Sequence, residues 1–130
     1  MSKFNKDAGK FISLVRGAQL TEAYRVDQKI VKKHKEPILA AFFGINKLEK
    51  LLSKDGATGL RIYYGLDLDK DGKRDKKFVI VAVDADGNDI LPSQTSMDKD
   101  SPADDILDTD ILCPYDCPKA NPLNSDTSNG

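Results

Sequence analysis

The chain has 130 residues, enough for one domain and too few for two well-filled cores. Hydrophobic residues make up 39% and charged residues 32%, with a net charge of −1, which excludes a collagen-like chain, a wholly disordered chain and a disulfide-dense miniprotein. No run approaches the ~18 apolar residues of a membrane span, and residues 1–20 lack the hydrophobic stretch of a secretory signal, so a cytoplasmic setting without a membrane partner is expected.

The near-neutral total hides a sorted charge. Residues 1–54 carry +7, residues 55–100 carry −3 and residues 101–130 carry −5. Five of the six prolines stand at or after Pro92. The chain therefore reads as a single domain over 1–121, with a basic helical part at 1–54, a β meander at 59–91 and a docked acidic tail at 92–121. Residues 122–130, small and polar, read as a disordered C-terminus.

In the front part, Phe4, Phe11, Ile12, Leu14, Val15 and Ala18 allow a first helix that ends near Gly17. Thr21 caps a second, whose apolar positions Ala23, Tyr24, Ile30 and Val31 recur on one face. Lys29, Lys32, Lys33 and Lys35 load its last turns, where positive charge meets the negative end of the helix dipole. Glu36-Pro37 stops it, because the residue before proline is pushed out of the helical region. Residues 38–43 form a short apolar run that suits a buried strand or a helical turn equally. After Gly44, Ile45, Leu48, Leu51 and Leu52 mark a short amphipathic helix, with Asp55-Gly56 as its stop.

The middle is the most legible stretch. Residues 60–64 and 78–83 are β-branched and aromatic runs bounded by turn residues, and the second is apolar throughout, as a central strand would be. Asp84, Asp86, Gly87, Asn88 and Asp89 supply a tight turn, after which Ile90-Leu91 begins a third strand. Ile106, Leu107, Ile111 and Leu112 are the apolar residues with which the tail docks onto the core. The fold class is α+β: N-terminal helices packed on one face of a small antiparallel sheet, with an irregular acidic C-terminal tail.

Two constellations carry possible chemistry. Asp67, Asp69, Asp71 and Asp75, with Gly72, follow the alternating-carboxylate spacing of a calcium loop. Phe78 stands where such a loop places its bidentate glutamate, and five basic residues dilute the site, so calcium is the one cofactor to consider and its binding is expected to be weak. Cys113 and Cys117 are the whole thiol inventory, too few for a structural zinc site without His34 and Asp116 or a second chain. In a reducing compartment they are expected as thiols, with a short disulfide sterically conceivable, that help Tyr115 pin the tail. His34, amid lysines, reads as a solvated helix-end residue. No nucleophile elbow, phosphate loop or fixed carboxylate pair is present to build a conventional active site.

Lys29, Lys32, Lys33 and Lys35, with Arg16 and Arg25, are the candidate phosphate contacts of a nucleic-acid binder. The acidic total and the acidic tail argue against that partner and for a solvated helix face. In the alternating strand at 60–64, Arg61 and Tyr63 share one face, while Leu60, Ile62 and Tyr64 share the other. Arg61 then meets a carboxylate of the acidic tail, or one on a partner.

Gly59-Leu60-Arg61-Ile62-Tyr63-Tyr64-Gly65, together with Phe42-Phe43-Gly44, Leu48-x-x-Leu51-Leu52 and Cys113-Pro114-x-x-Cys117, resembles a set of small uncharacterised bacterial proteins. These join a short helix, a G-x-R-x-Y-x-G strand, a second apolar strand and a closing Cys-Pro segment. The resemblance spans residues 38–118 and implies an architecture without implying a reaction.

The expected function is a non-enzymatic protein–protein interaction or adaptor module. Its binding elements are Arg61, Tyr63 and the basic face of Lys29, Lys32 and Lys33, and amphipathic N-terminal helices would allow self-association. The alternative is a weak calcium-binding regulatory protein acting through the 67–75 loop.

Overall fold

The computed structural model describes residues 2–68, 75–92 and 104–125. In chain order these form α1 (Leu14–Val26), a π-helical turn (Asp27–Val31), β1 (Ala40–Ala41), α2 (Ile45–Leu52), β2 (Ala57–Asp67), β3 (Asp75–Asp84), β4 (Ile106–Leu107) and β5 (Leu112–Cys113). Two antiparallel sheets result, one of order β2-β3-β4 and one pairing β1 with β5. The class is α+β.

The front part departs from the expected two helices. Residues 2–13 are not helical, and α1 runs unbroken through Gly17 and Thr21. Its cap is Ser13, whose hydroxyl accepts from the Arg16 amide at 3.0 Å and so satisfies one of the unpaired amides of the first turn. Thr21 turns its hydroxyl back onto the carbonyls of Gly17 and Ala18, the habit of a mid-helix threonine. Apolar and polar residues are spread evenly around α1, so the amphipathic face expected there is absent; α2 carries one instead. The helix ends on Lys33 in the left-handed region (φ 55°), ahead of Pro37.

Residues 38–43 resolve as extended chain: Ala40 and Ala41 pair with Cys113 and Leu112. The third strand also lies elsewhere than expected. Ile90-Leu91 forms no strand; Ile106 and Leu107 pair with Val81 and Ile80, while Asp89 makes a single bridge to Val83. β3 is therefore the central strand of its sheet and is buried on both faces over its last half.

Leu51 of α2 packs against Ile80 and Ala82 of β3, with Leu48, Leu60, Leu107 and Phe43 around them. The acidic segment is held by ion pairs from Lys54 to Asp105 (2.5 Å) and from Lys77 to Asp110 (2.5 Å) and Asp108 (3.3 Å). Lys77 is only 7% exposed. Burial works against its charge, but the two carboxylates outweigh that and hold its pKa above the ordinary lysine value. Cys113 and Cys117 are joined in a disulfide, in place of the expected thiols. Their Cα atoms are 4.7 Å apart, within bridging range, because the turn they close bonds the Asp116 amide to the Leu112 carbonyl at 2.7 Å. Residues 122–125 form a turn, and the Leu123 carbonyl accepts from the buried Arg25 at 2.9 Å. Residues 126–130 lie outside the described residues.

Candidate functional site

The two faces of β2 present different chemistry. Arg61 and Tyr63 lie on one, as strand alternation requires. Their carboxylate is Asp89, five residues past the end of β3, and not one of the acidic tail. The turn that delivers it is built on Asp84, whose side chain accepts from the amides of Asp86 (2.9 Å) and Asn88 (3.0 Å). Gly87 completes it at φ +86°, a conformation that side chains disfavour. Arg61 Nη1 donates to Asp89 Oδ1 at 2.5 Å and to the Gly87 carbonyl at 3.1 Å, and the Tyr63 hydroxyl donates to Asp89 Oδ2. The hydrogen bond to Asp89 raises the pKa of Arg61, and the same carboxylate raises that of Tyr63.

The Phe4 ring closes this face. The Arg61 guanidinium lies 5.7 Å from its centroid, and the Phe4 carbonyl accepts from the Thr58 hydroxyl at 2.6 Å. Between the N-terminal segment and β2 runs a groove of about 360 Å³, lined by Phe4, Asn5, Ala8, Thr58, Leu60 and Ile62 among others.

The opposite face of β2 is apolar and only partly covered. Leu60 packs into the core at the α2 end. Beyond it the same face continues with Ile62 (57% exposed), Tyr64 (83%) and Leu66 (49%), and Leu68 (69%) follows just past the end of the strand. Length explains this. An eight-residue helix reaches about 12 Å, whereas an 11-residue strand runs roughly 36 Å, so α2 cannot cover the hairpin to its tip. Across the hairpin Tyr64 faces Phe78, ring centroids 5.7 Å apart, and Leu66 faces Lys76, whose ammonium lies 4.7 Å from the Tyr24 ring. β2 is also an edge strand. Among the described residues, no backbone hydrogen bond reaches its 58–67 stretch except from β3.

The remaining sequence candidates do not converge. Lys29, Lys32 and Lys33 are exposed at the π-helical turn and just after it, while Arg25 is buried against Leu123 and is withdrawn from phosphate contact. Asp67 and Asp75 face each other as a cross-strand pair, and Asp75 accepts from the Tyr115 hydroxyl at 2.8 Å. Asp69 and Asp71 lie outside the described residues. Among the described residues, no group of three or more His, Cys, Asp or Glu side chains is placed to hold a metal ion, and no helix is long and apolar enough to cross a membrane. Asp89 and Phe4 escape sequence reasoning, since their roles depend on hairpin register and on an irregular segment. The exposed stripe is prefigured by the apolar alternation from Leu60 to Leu68, read against the shortness of the helix at Ile45–Leu52. In comparisons with known proteins, the chain matches no family model, no curated protein and no solved structure.

Proposed function

We propose that this chain is a non-enzymatic protein-binding module whose contact surface is the uncovered apolar face of β2 at Ile62, Tyr64, Leu66 and Leu68. One observation carries the reading: three apolar side chains on consecutive same-face positions of β2 are exposed side by side, with exposed Leu68 directly after the strand. Such a contiguous patch marks an interaction surface, whereas apolar residues scattered singly do not. Tyr64 brings a large, rigid side chain with a polar tip, the type enriched at the centre of interfaces. Arg61 and Tyr63 belong to the same strand but act behind it. Their hydrogen bonds to Asp89 fix the polar side of β2.

The test compares proteins retained from extracts of the native cell by the immobilised intact chain and by an Ile62→Asp/Tyr64→Asp chain. Proteins held by the first and lost from the second, with circular dichroism unchanged, support the reading. Identical retention removes it. Turnover of a small molecule by the purified chain, abolished by one substitution, removes its non-enzymatic part.

Weak calcium binding at the hairpin tip is a second reading, favoured by the placement of Asp67 opposite Asp75, where a cation would offset facing carboxylates. Calorimetric titration decides it, since the absence of heat at roughly millimolar calcium, the weak end of protein calcium sites, removes the proposal.

A further inference from the structure

We propose that the partner of the β2 edge is a second copy of this chain, paired antiparallel through β2 about a two-fold axis at Tyr64. The inference deepens the module reading and rests on it in treating the uncovered side of β2 as a contact surface. Its own support comes from the edge, the charge pattern and the register.

A long edge strand offers alternate backbone amides and carbonyls to any strand laid beside it. β2 meets that description over its 58–67 stretch, and none of the described charged or proline residues that commonly blunt an edge interrupts it between Gly59 and Asp67 except Arg61. Arg61 is what selects the register. With Tyr64 opposite Tyr64 of the second copy, each residue of the 60–68 stretch meets a residue that points to the same face, as antiparallel pairing requires. On the apolar face Leu60 then meets Leu68 and Ile62 meets Leu66. On the polar face Arg61 meets Asp67, twice by symmetry.

That charge pair answers a feature of the single chain. Asp67 stands directly across from Asp75, and like charges in that position destabilise a hairpin. A guanidinium arriving over the outer edge offsets the repulsion. Arg61 has the donors for it: among the described residues its bonds to Asp89 and to Gly87 both use Nη1, and a guanidinium carries five N–H groups in all. Shifting the register by two residues toward the start of the strand sets Arg61 against Gly65 and Asp67 against Gly59 and loses both opposite-charge pairs, a shift the other way carries the partner of Arg61 past Asp67, the last residue of β2, and an in-register parallel arrangement sets Arg61 beside Arg61. The two uncovered faces, meanwhile, join into one continuous apolar surface, because a two-fold axis perpendicular to the sheet keeps equivalent faces on the same side.

The full-length chain tests this in two ways. Sedimentation over a concentration series is expected to show a monomer–dimer equilibrium, weakened about tenfold by Asp67→Arg, which sets Arg against Arg twice in the dimer. The same substitution pairs with Asp75 inside one chain, so the hairpin is retained and the loss is not one of folding. Under mild oxidation the Tyr64→Cys chain is expected to form covalent dimers, because its thiols meet on the axis. The Leu66→Cys chain is expected not to, because its two thiols sit four positions apart along the strands, about 13 Å, beyond the roughly 7 Å Cα limit of a disulfide. A monomer at every concentration, equal cross-linking of the two cysteine variants, or dimerisation that Asp67→Arg leaves unchanged or strengthens would each overturn the proposal. If dimerisation fails while Ile62→Asp/Tyr64→Asp still sheds captured proteins, the module reading stands without it.

Discussion

Asp89 has more consequences than its position in a turn suggests. Its carboxylate accepts from Arg61 and Tyr63 together, so one side chain ties the β3 exit to the middle of β2. The raised Tyr63 pKa fixes the sign of its pH dependence. A group whose pKa is higher folded than unfolded contributes stability fully below the unfolded value, here 10.0, and loses it as pH rises through the folded value. Ultraviolet titration of the Asp89→Asn chain beside the parent should show one tyrosine ionising earlier in the variant, as Tyr63 returns toward its ordinary value. A titration unaltered by that substitution would mean that Tyr63 does not donate to Asp89 in solution. Gly87 is under a different constraint. A Cβ there would meet the Phe4 ring at 2.5 Å, and the backbone is already at φ +86°. Gly87→Ala should therefore cost about 1–2 kcal/mol, part strain and part expulsion of Phe4. Adding Phe4→Ala to it should cost less than Phe4→Ala costs alone, because the ring has already been displaced; full additivity in denaturant melts would refute that coupling.

At the scale of elements, β2 is one strand with two energetic ends. Near α2, Leu51 is 2% exposed against Ile80 and Ala82, and Leu51→Ala should cost about 2–4 kcal/mol through lost burial and the cavity left behind. Toward the hairpin tip, Ile62→Ala should stay within about 0.5 kcal/mol in the dilute monomer, since over half of that side chain is already in water. Chemical denaturation of both variants checks the contrast, and a large loss at Ile62 would mean that its face is covered. The elements that the sequence announces are those whose signal is local. Ile45, Leu48, Leu51 and Leu52 recur at helical spacing, and the β-branched apolar run at 78–83 fits a central strand better than an edge. β4 and β5 carry two residues each and gain their identity from partners far along the chain, Val81 and Ala41 among them, so no local pattern marks them. Ser13 and Thr21 are both capping residue types. What decides between them is that α1 continues through Gly17, at whose position the Leu123 side chain packs closely. Within the candidate site, the division of β2 into a polar and an apolar face follows from alternation alone. The identity of the Arg61 partner does not, because it depends on where a four-residue excursion after β3 returns the chain.

For the molecule as a whole, the last described segment completes the fold. It is not an appendage. Ile106 and Leu107 give β3 its second neighbour, and Leu112 and Cys113 give β1 its only one among the described residues. Asp108 and Asp110 neutralise the buried Lys77, Asp105 pairs with Lys54, and the Leu123 carbonyl receives the buried Arg25. A chain ended before Pro92 keeps β2, β3 and α2 but leaves two buried cations without these acceptors, and removing one side of a buried pair is far more damaging than never having built it. It also turns β3 into an edge, with Val81 and Ile80 losing the strand beside them. Loss of the cooperative thermal transition is therefore expected for the shortened chain, even though the most regular third of the molecule is intact. The pH response of the full chain should carry the same signature. The stability supplied through Lys77 is complete below its ordinary value of 10.5 and is lost as pH rises through the higher folded value, so alkali should release the acidic segment. Hydrogen exchange at the amides of β4, read against those of α2, would register that release. A shortened chain that melts cooperatively near the midpoint of the intact one would show that β2, β3 and α2 form a self-sufficient unit, and the acidic segment would then be free to leave the sheet without unfolding it.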